Sequence, residues 1–325
     1  MTERRRDPLS GEWRTFATHR QDRTFLPPVE HCPLCPTTDV SAPTEVPWPA
    51  FEIAVFDNRF PSFVPDPPPP SVAASALYDV EPSVGGTEVI VYSDDHSASM
   101  GTLHVDRLRL LVDVWADRYA ALGEREDVDY VFVFENRGET VGVTLHHPHG
   151  QVYAYPEIPP RPAAELAEAR IHLAERGTCV SCDVVAQERT EAVRLVARND
   201  AFVAYVPFAA RFPYEVHISA HRHAPSLLDL SDPERDELAA MLSEVVRRYD
   251  GLFGFPLPYV MSMHQAPTND DEWQSVSHIH IEFTPFHRTA DKLKYLAGSE
   301  LGAGAFLNDV APEQAAAALR TALPS

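Results

Sequence analysis

The sequence predicts an α+β fold made of two related halves, and three observations carry that prediction. "EVIVYSDDHSASMGTL" (88–103) aligns without gaps on "EVHISAHRHAPSLLDL" (215–230), an internal repeat that sets His96 on His223 at an offset of 127 residues. Each copy is followed by an amphipathic helix and then by an apolar strand, "DYVFVFEN" (129–136) and "PYVMSMHQ" (258–265). Each half opens with a C-x-x-C pair, Cys32/Cys35 or Cys179/Cys182, and closes with a His-x-His strand, "HPHGQVYAY" (147–155) or "HIHIEFTPF" (278–286). Chance supplies one such match easily; it does not supply the whole series twice in the same order.

The bulk composition permits this organisation. The chain has 325 residues, 44% hydrophobic and 10% aromatic, enough for two ordinary domains or one large one. The expected division is 1–160 and 161–325, joined near "PEIPPRPAAE". Basic residues number 27 against 48 acidic, a net −21, so a nucleic-acid polymer would be repelled by most of the surface. A small phosphorylated ligand remains compatible if a few arginines gather locally. The opening "MTERRRDPLSGEW" has charge but no apolar segment of signal-peptide type, and no apolar run approaches membrane-spanning length. The expectation is a cytoplasmic protein with no membrane association. In a reducing compartment the two C-x-x-C pairs suggest metal or redox chemistry before disulfides.

Taken in chain order, "VPDPPPP" (64–70) is a stiff connector rather than an element. The first helix shows its apolar face at Leu108, Leu111, Val112, Trp115, Tyr119 and Leu122. The second begins at a capping box, Ser231 and Glu234, and buries Leu238, Met241, Leu242, Val245 and Tyr249.

A C-x-x-C turn lets two thiolates converge on one tetrahedral ion, and Cys32, Cys35, His96 and His147 complete a Cys₂His₂ set. Zinc suits soft thiolates with imidazoles, and a four-ligand site is structural rather than catalytic. The second half offers Cys179, Cys182, His223 and His278, with His221 as an alternative to His223 and zinc or iron as the ion.

The densest chemistry lies in "HHPHGQ" (146–151). Strand alternation points His147, His149 and Gln151 to one face. If metal holds His147, His149 is presented one pleat along, with Pro148 stiffening the backbone. Gly150, lacking a Cβ, is read as letting a ligand phosphate approach the main chain. A neutral imidazole is a competent nucleophile near pH 7, and attack on a nucleotide phosphorus gives a phosphoramidate that can pass the nucleotidyl group onward. Gln151 offers an uncharged N–H to a nonbridging oxygen. His146, of opposite parity, reads as a surface histidine.

"GVTLHHPHGQ" closely resembles the active-site segment of the galactose-1-phosphate uridylyltransferase family, within the histidine-triad superfamily. The resemblance extends to "DPLSGEWRTFATHRQDR" (7–23), "FDNRFPSF" (56–63), "VFENRG" (133–138), "MHQAP" (263–267), "SHIHIEFTPF" (277–286) and "KYLAGSELGAGAFLND" (294–309). It implies two histidine-triad-like halves, each a mainly antiparallel sheet with packed helices. It further implies ping-pong exchange of UMP between UDP-glucose and galactose 1-phosphate through a covalent uridylyl-histidine at His149, with UDP-galactose as product. Matching positions imply Arg20, Arg23, Asn136, Thr144 and Gln151 near phosphates, Asn58 near uridine, Lys294 and Glu300 near the hexose, and a homodimer in which the partner's C-terminal segment closes the site. Some members bind a second metal through positions matching Glu165, His264, His278 and His280; the better thiolate ligands favour the cysteine set here, leaving Glu165 as a solvated helical residue. His280 occupies the nucleophile's place in the second copy without a following Gly-Gln, so that copy is expected to be silent. Phe306 stands where some members have a polar sugar-contacting residue. The competing readings are an adenylyl-transferring relative such as an ADP-glucose phosphorylase, a nucleotide-binding module without turnover, and a C-x-x-C redox protein.

Overall fold

A computed structural model describes residues 2–323. At the N-terminus, β1 (Thr2–Arg6) and β2 (Trp13–Ala17) form a hairpin, and β3 (Ala54–Asp57) leads into the turn at Asn58. No regular element spans the proline-rich stretch before β4 (Val80–Pro82), which pairs with β1. Next come β5 (Gly86–Val91), helix α1 (Val105–Gly123), β6 (Tyr130–Arg137) and β7 (His149–Tyr155). Helix α2 (Pro160–Arg176) starts on a proline in its first turn, where no N–H is missed, and α3 (Val180–Glu191) starts beside Cys179. The second half continues with β8 (Leu195–Arg198), β9 (Phe202–Tyr205), β10 (Val216–Ala220), α4 (Asp232–Leu252), β11 (Tyr259–His264) and β12 (His280–Pro285). A small hairpin, β13 (His287–Thr289) with β14 (Lys292–Leu293), then α5 (Gly298–Ala303) and α6 (Pro312–Arg320) close the chain.

Among the described residues nine strands form one antiparallel sheet in the order β3-β5-β7-β6-β11-β12-β10-β9-β8. The order explains the repeat: β3-β5-β7-β6 reads inward to the middle as β9-β10-β12-β11 does from the other side. The halves meet where β6 pairs with β11, Val260 opposite Asn136 and Met263 opposite Val133. They therefore share one sheet rather than stacking as separate bodies.

Helices α1 and α4 lie side by side on one face. The predicted apolar residues of both are buried, among them Trp115, Leu238 and Tyr249, and each such side chain contributes about 1.5–3 kcal/mol. Ser231 and Glu234 make the predicted reciprocal cap of α4. Val152 and Ala154 of β7 point into this core, so His149, Gln151 and Tyr153 must point to the opposite face. That opposite face carries α3 in the second half, packed on Val203 and Tyr205. No helix among the described residues is long and apolar enough to cross a membrane.

Candidate active site

The first cysteine pair and its histidines come together as the spacing requires. Cys35 Sγ lies 3.4 Å from His96 Nδ1 and 3.5 Å from His147 Nδ1, and the ligand atoms of all four residues lie within 4.8 Å of one another. A tetrahedral zinc with ordinary Zn–S and Zn–N bonds has an S···N edge of about 3.5 Å, so the residues fit the ion. The donor chemistry agrees. Burial and the adjacent Cys32 thiol push Cys35 up to about 12, so two thiolates persist here only against a cation. His147 donates its other ring nitrogen to Ser93 O at 2.7 Å, which leaves the Nδ1 lone pair facing the sulfurs, the outer bond expected of a ligating imidazole.

The second set repeats this, slightly wider. Cys182 Sγ is 3.5 Å from His278 Nδ1 and 3.9 Å from His223 Nδ1, and Cys179 Sγ is 3.8 Å from His278 Nδ1. His278 and His223 turn their outer nitrogens to Ala220 O and Gln274 O. His221 is bonded to Asn199 O and does not join. The alternative set is split: His278 faces the cysteines, while Glu165, His264 and His280 cluster separately. Glu165 is not a freely solvated helical carboxylate, because it accepts from His264 Nδ1 at 2.7 Å and pairs with Arg161. Sequence reasoning placed His147 and His278 on strands; both lie just before them, at the entry to β7 and β12.

His149 opens β7. Its Nδ1–H donates to His147 O at 2.8 Å, which fixes the tautomer and leaves Nε2 with its lone pair outward. Burial lowers its pKa, so the ring is neutral at pH 7. It lines a cavity of about 100 Å³ with Gln151, Asn58, Arg23, Thr144 and Phe56. Asn58 donates its amide N–H to Gln151 Oε1 at 3.2 Å, which turns the Gln151 amide nitrogen free. Arg20 is anchored by Phe60 O, Ser62 Oγ and Tyr153 Oη, one pleat beyond Gln151. Asn136 lies on β6 two residues past Phe134, the partner of Gln151, and so shares the face of His149. His146 is exposed beside Glu139, as its parity implies.

Lys294 and Glu300 do not line this cavity. They form a buried pair at 2.8 Å that ties the residue after β14 to helix α5, with Lys294 also bonded to Leu307 O. Phe306 packs tilted against Phe212, with the Arg211 guanidinium over its ring. Sequence reasoning missed Glu45 and Arg59, an ion pair at 2.9 Å on the cavity wall, and Tyr153, whose odd-numbered place on β7 was the signal.

The reading of Gly150 is corrected. Its missing Cβ faces the helix side, away from the cavity, where a Cβ would lie 2.2 Å from Tyr92 Oη. The glycine makes room for a phenol, not for a phosphate.

In the second half His280 keeps the posture of His149, donating Nδ1–H to His278 O at 2.9 Å. Its Nε2 faces Glu165 and Glu282 at 3.8 and 3.9 Å, beside a cavity of about 780 Å³. Glu282 stands where the first half has Gln151, so a carboxylate replaces the amide that would meet a phosphate. Glu282 is held down to about 2 by His217, His264, Arg161 and His280, against the effect of its burial, and stays ionised.

Comparison with known proteins agrees with the geometry. The family models for the galactose-1-phosphate uridyl transferase N-terminal and C-terminal domains match residues 1–159 and 165–325. A galactose-1-phosphate uridylyltransferase of Thermotoga maritima is 40% identical, covering 98% of each chain, and one of Streptomyces lividans is 36% identical over 98% of this chain and 86% of its own. A solved uridylyltransferase structure superposes with a TM-score of 0.87 at 33% identity, covering 99% of this chain and 98% of the other. The chain thus belongs to the galactose-1-phosphate uridylyltransferase family.

Proposed function

We propose that this chain moves UMP between UDP-glucose and galactose 1-phosphate by two displacements at His149. The supporting observation is the committed Nδ1–H of His149 and the free Nε2 beside Asn58, Arg23 and Gln151. Nε2 attacks the α-phosphorus of UDP-glucose. A P–N bond forms, the bond to the bridging oxygen breaks, and glucose 1-phosphate leaves with the electron pair. The ring becomes cationic in the adduct, and the His147 carbonyl oxygen 2.8 Å from Nδ1 stabilises that charge. A phosphate oxygen of galactose 1-phosphate then attacks the same phosphorus, the P–N bond breaks, and UDP-galactose leaves with the imidazole restored. Gln151, its oxygen occupied by Asn58, donates to a nonbridging oxygen as charge builds. Arg20, Arg23, Asn136 and Thr144 complete the phosphate contacts, and Asn58 meets the uridine.

Zinc bound to Cys32, Cys35, His96 and His147 supplies structural fixation and no reaction chemistry. Cys179, Cys182, His223 and His278 hold a second ion, zinc or iron, in the same role. The halves are 1–160 and 161–325, with terminal limits that lie outside the described residues. Lys294 and Glu300 meet the hexose in the partner's site of a cytoplasmic homodimer, which accounts for exposed Tyr295 and Leu301 in that segment.

Incubation with UDP-glucose alone, followed by intact mass, tests the reading: an adduct of roughly 306 Da is expected, labile in acid and absent from His149→Ala. An adenylyl adduct from ADP-glucose and none from UDP-glucose would establish the adenylyl alternative. Turnover with no adduct on either would remove the covalent step.

A further inference from the structure

We propose that Tyr92 is the positioning residue of the nucleophile: its phenol fills the space left by the absent Cβ of Gly150, and this fit fixes how far His149 and Gln151 stand out from the sheet. The inference rests on the reading of His149 as the nucleophile.

Residues 92 and 93 touch the His-Pro-His-Gly segment at three points. Tyr92 N–H donates to Pro148 O at 3.0 Å, Ser93 O accepts from His147 Nε2 at 2.7 Å, and Tyr92 Oη lies under Gly150. A Cβ at position 150 would meet Tyr92 Oη at 2.2 Å, Tyr92 Cζ at 3.1 Å and Phe134 O at 3.1 Å. The phenol cannot retreat. Tyr92 is fully buried, and Trp115, also fully buried, stands edge-on at 6.3 Å between ring centroids. Real side chains do not approach within 2.2 Å, so any residue larger than glycine lifts the strand or displaces the ring. His149 and Gln151 flank Gly150 on the other face of the same strand, so a lift at 150 moves both groups together. Their alignment with the phosphorus is the quantity at stake, and a shift near 1 Å costs about 100-fold in rate. The Tyr92 hydroxyl shares the buried space under Gly150 with the Glu135 carboxyl, its hydrogen-bonding neighbour. Removing the hydroxyl empties the space under Gly150, while the ring stays held against Trp115.

The test uses the full-length protein and the four combinations of Tyr92→Phe and Gly150→Ala. The readouts are the single-turnover rate of adduct formation from UDP-glucose, its KM, and the melting temperature. Tyr92→Phe, which empties the space under Gly150, is expected to slow adduct formation about tenfold, and Gly150→Ala about 100-fold, both at nearly unchanged KM because Asn58 and Arg23 stand on other elements. The double variant is expected to recover at least about tenfold over Gly150→Ala, since the 2.2 Å contact is gone. Full activity in Gly150→Ala, or a double variant no faster than it, overturns the proposal. If neither alanine protein folds, Tyr92→Leu decides: loss of rate at constant KM upholds the prop, and an unchanged rate refutes it. A parent protein that forms no adduct would instead refute the covalent reading, and the melting-temperature cycle over the same four proteins would still test the contact.

Discussion

Glu135 is buried at the middle of the sheet, and replacing it with glutamine should change how stability depends on pH. Its Oε1 accepts from Tyr259 Oη at 3.4 Å, and the Tyr92 hydroxyl is its other hydrogen-bonding neighbour. The nearest cation, Arg137, is committed to Asp250 through bonds of 2.7 and 3.0 Å. Burial therefore dominates and pushes the carboxyl from 4.5 to about 7, against the weaker pull of Arg137 and two tyrosines. The sign follows from proton counting. Between pH 4.5 and 7 the folded chain holds this proton and the unfolded chain has lost it, so stability falls as pH rises through that window and levels off above it. At about 1.4 kcal/mol per pH unit the loss is about 3 kcal/mol. Glu135→Gln keeps the shape and removes the titration. Urea unfolding from pH 4.5 to 8 should show the variant gaining on the parent as pH rises, by about 3 kcal/mol at pH 7.5 relative to pH 4.5. A constant difference across the range would show that Glu135 ionises normally and that the burial argument fails.

The other predictions concern the site and its supports. His149→Ala should lose at least about 10⁴-fold in transfer rate, while His280→Ala stays within about threefold; equal losses in initial-rate assays would contradict a silent second copy. Cys35→Ser and Cys179→Ser should each remove about one equivalent of metal by elemental analysis, and only the first should slow adduct formation, because only that set holds His147. Ser231→Ala should cost about 1 kcal/mol in urea unfolding with no effect on turnover, since it removes the cap of α4 far from the cavity.

The repeat was legible because duplicated chemistry leaves duplicated spacing. His96 and His223 stand eight residues after Glu88 and Glu215, and the strand order around the β6–β11 junction reproduces that symmetry in space. The two Cys₂His₂ clusters were legible because cysteine pairs and histidines have few other uses at such spacing. Gly150 was misread because a missing side chain looks the same whether ligand or core fills the gap; only parity, with Val152 and Ala154 pointing inward, decides it. The Glu215, His217 and Glu282 cluster went unread because the three residues come together only when β10 pairs with β12, His217 opposite Glu282. The N-terminal hairpin was hidden by its charges. Glu3 is buried but satisfied by Arg5 and Ser71, and Arg4 lies over the Trp13 ring.

The ladder joining β6 to β11 has a bearing on how the molecule comes apart. A chain stopped after residue 160 would carry Val133, Glu135 and Arg137 on a naked strand edge, ready to zip onto a copy of itself. Neither portion is then a free-standing module, and denaturation should proceed as one cooperative event rather than two.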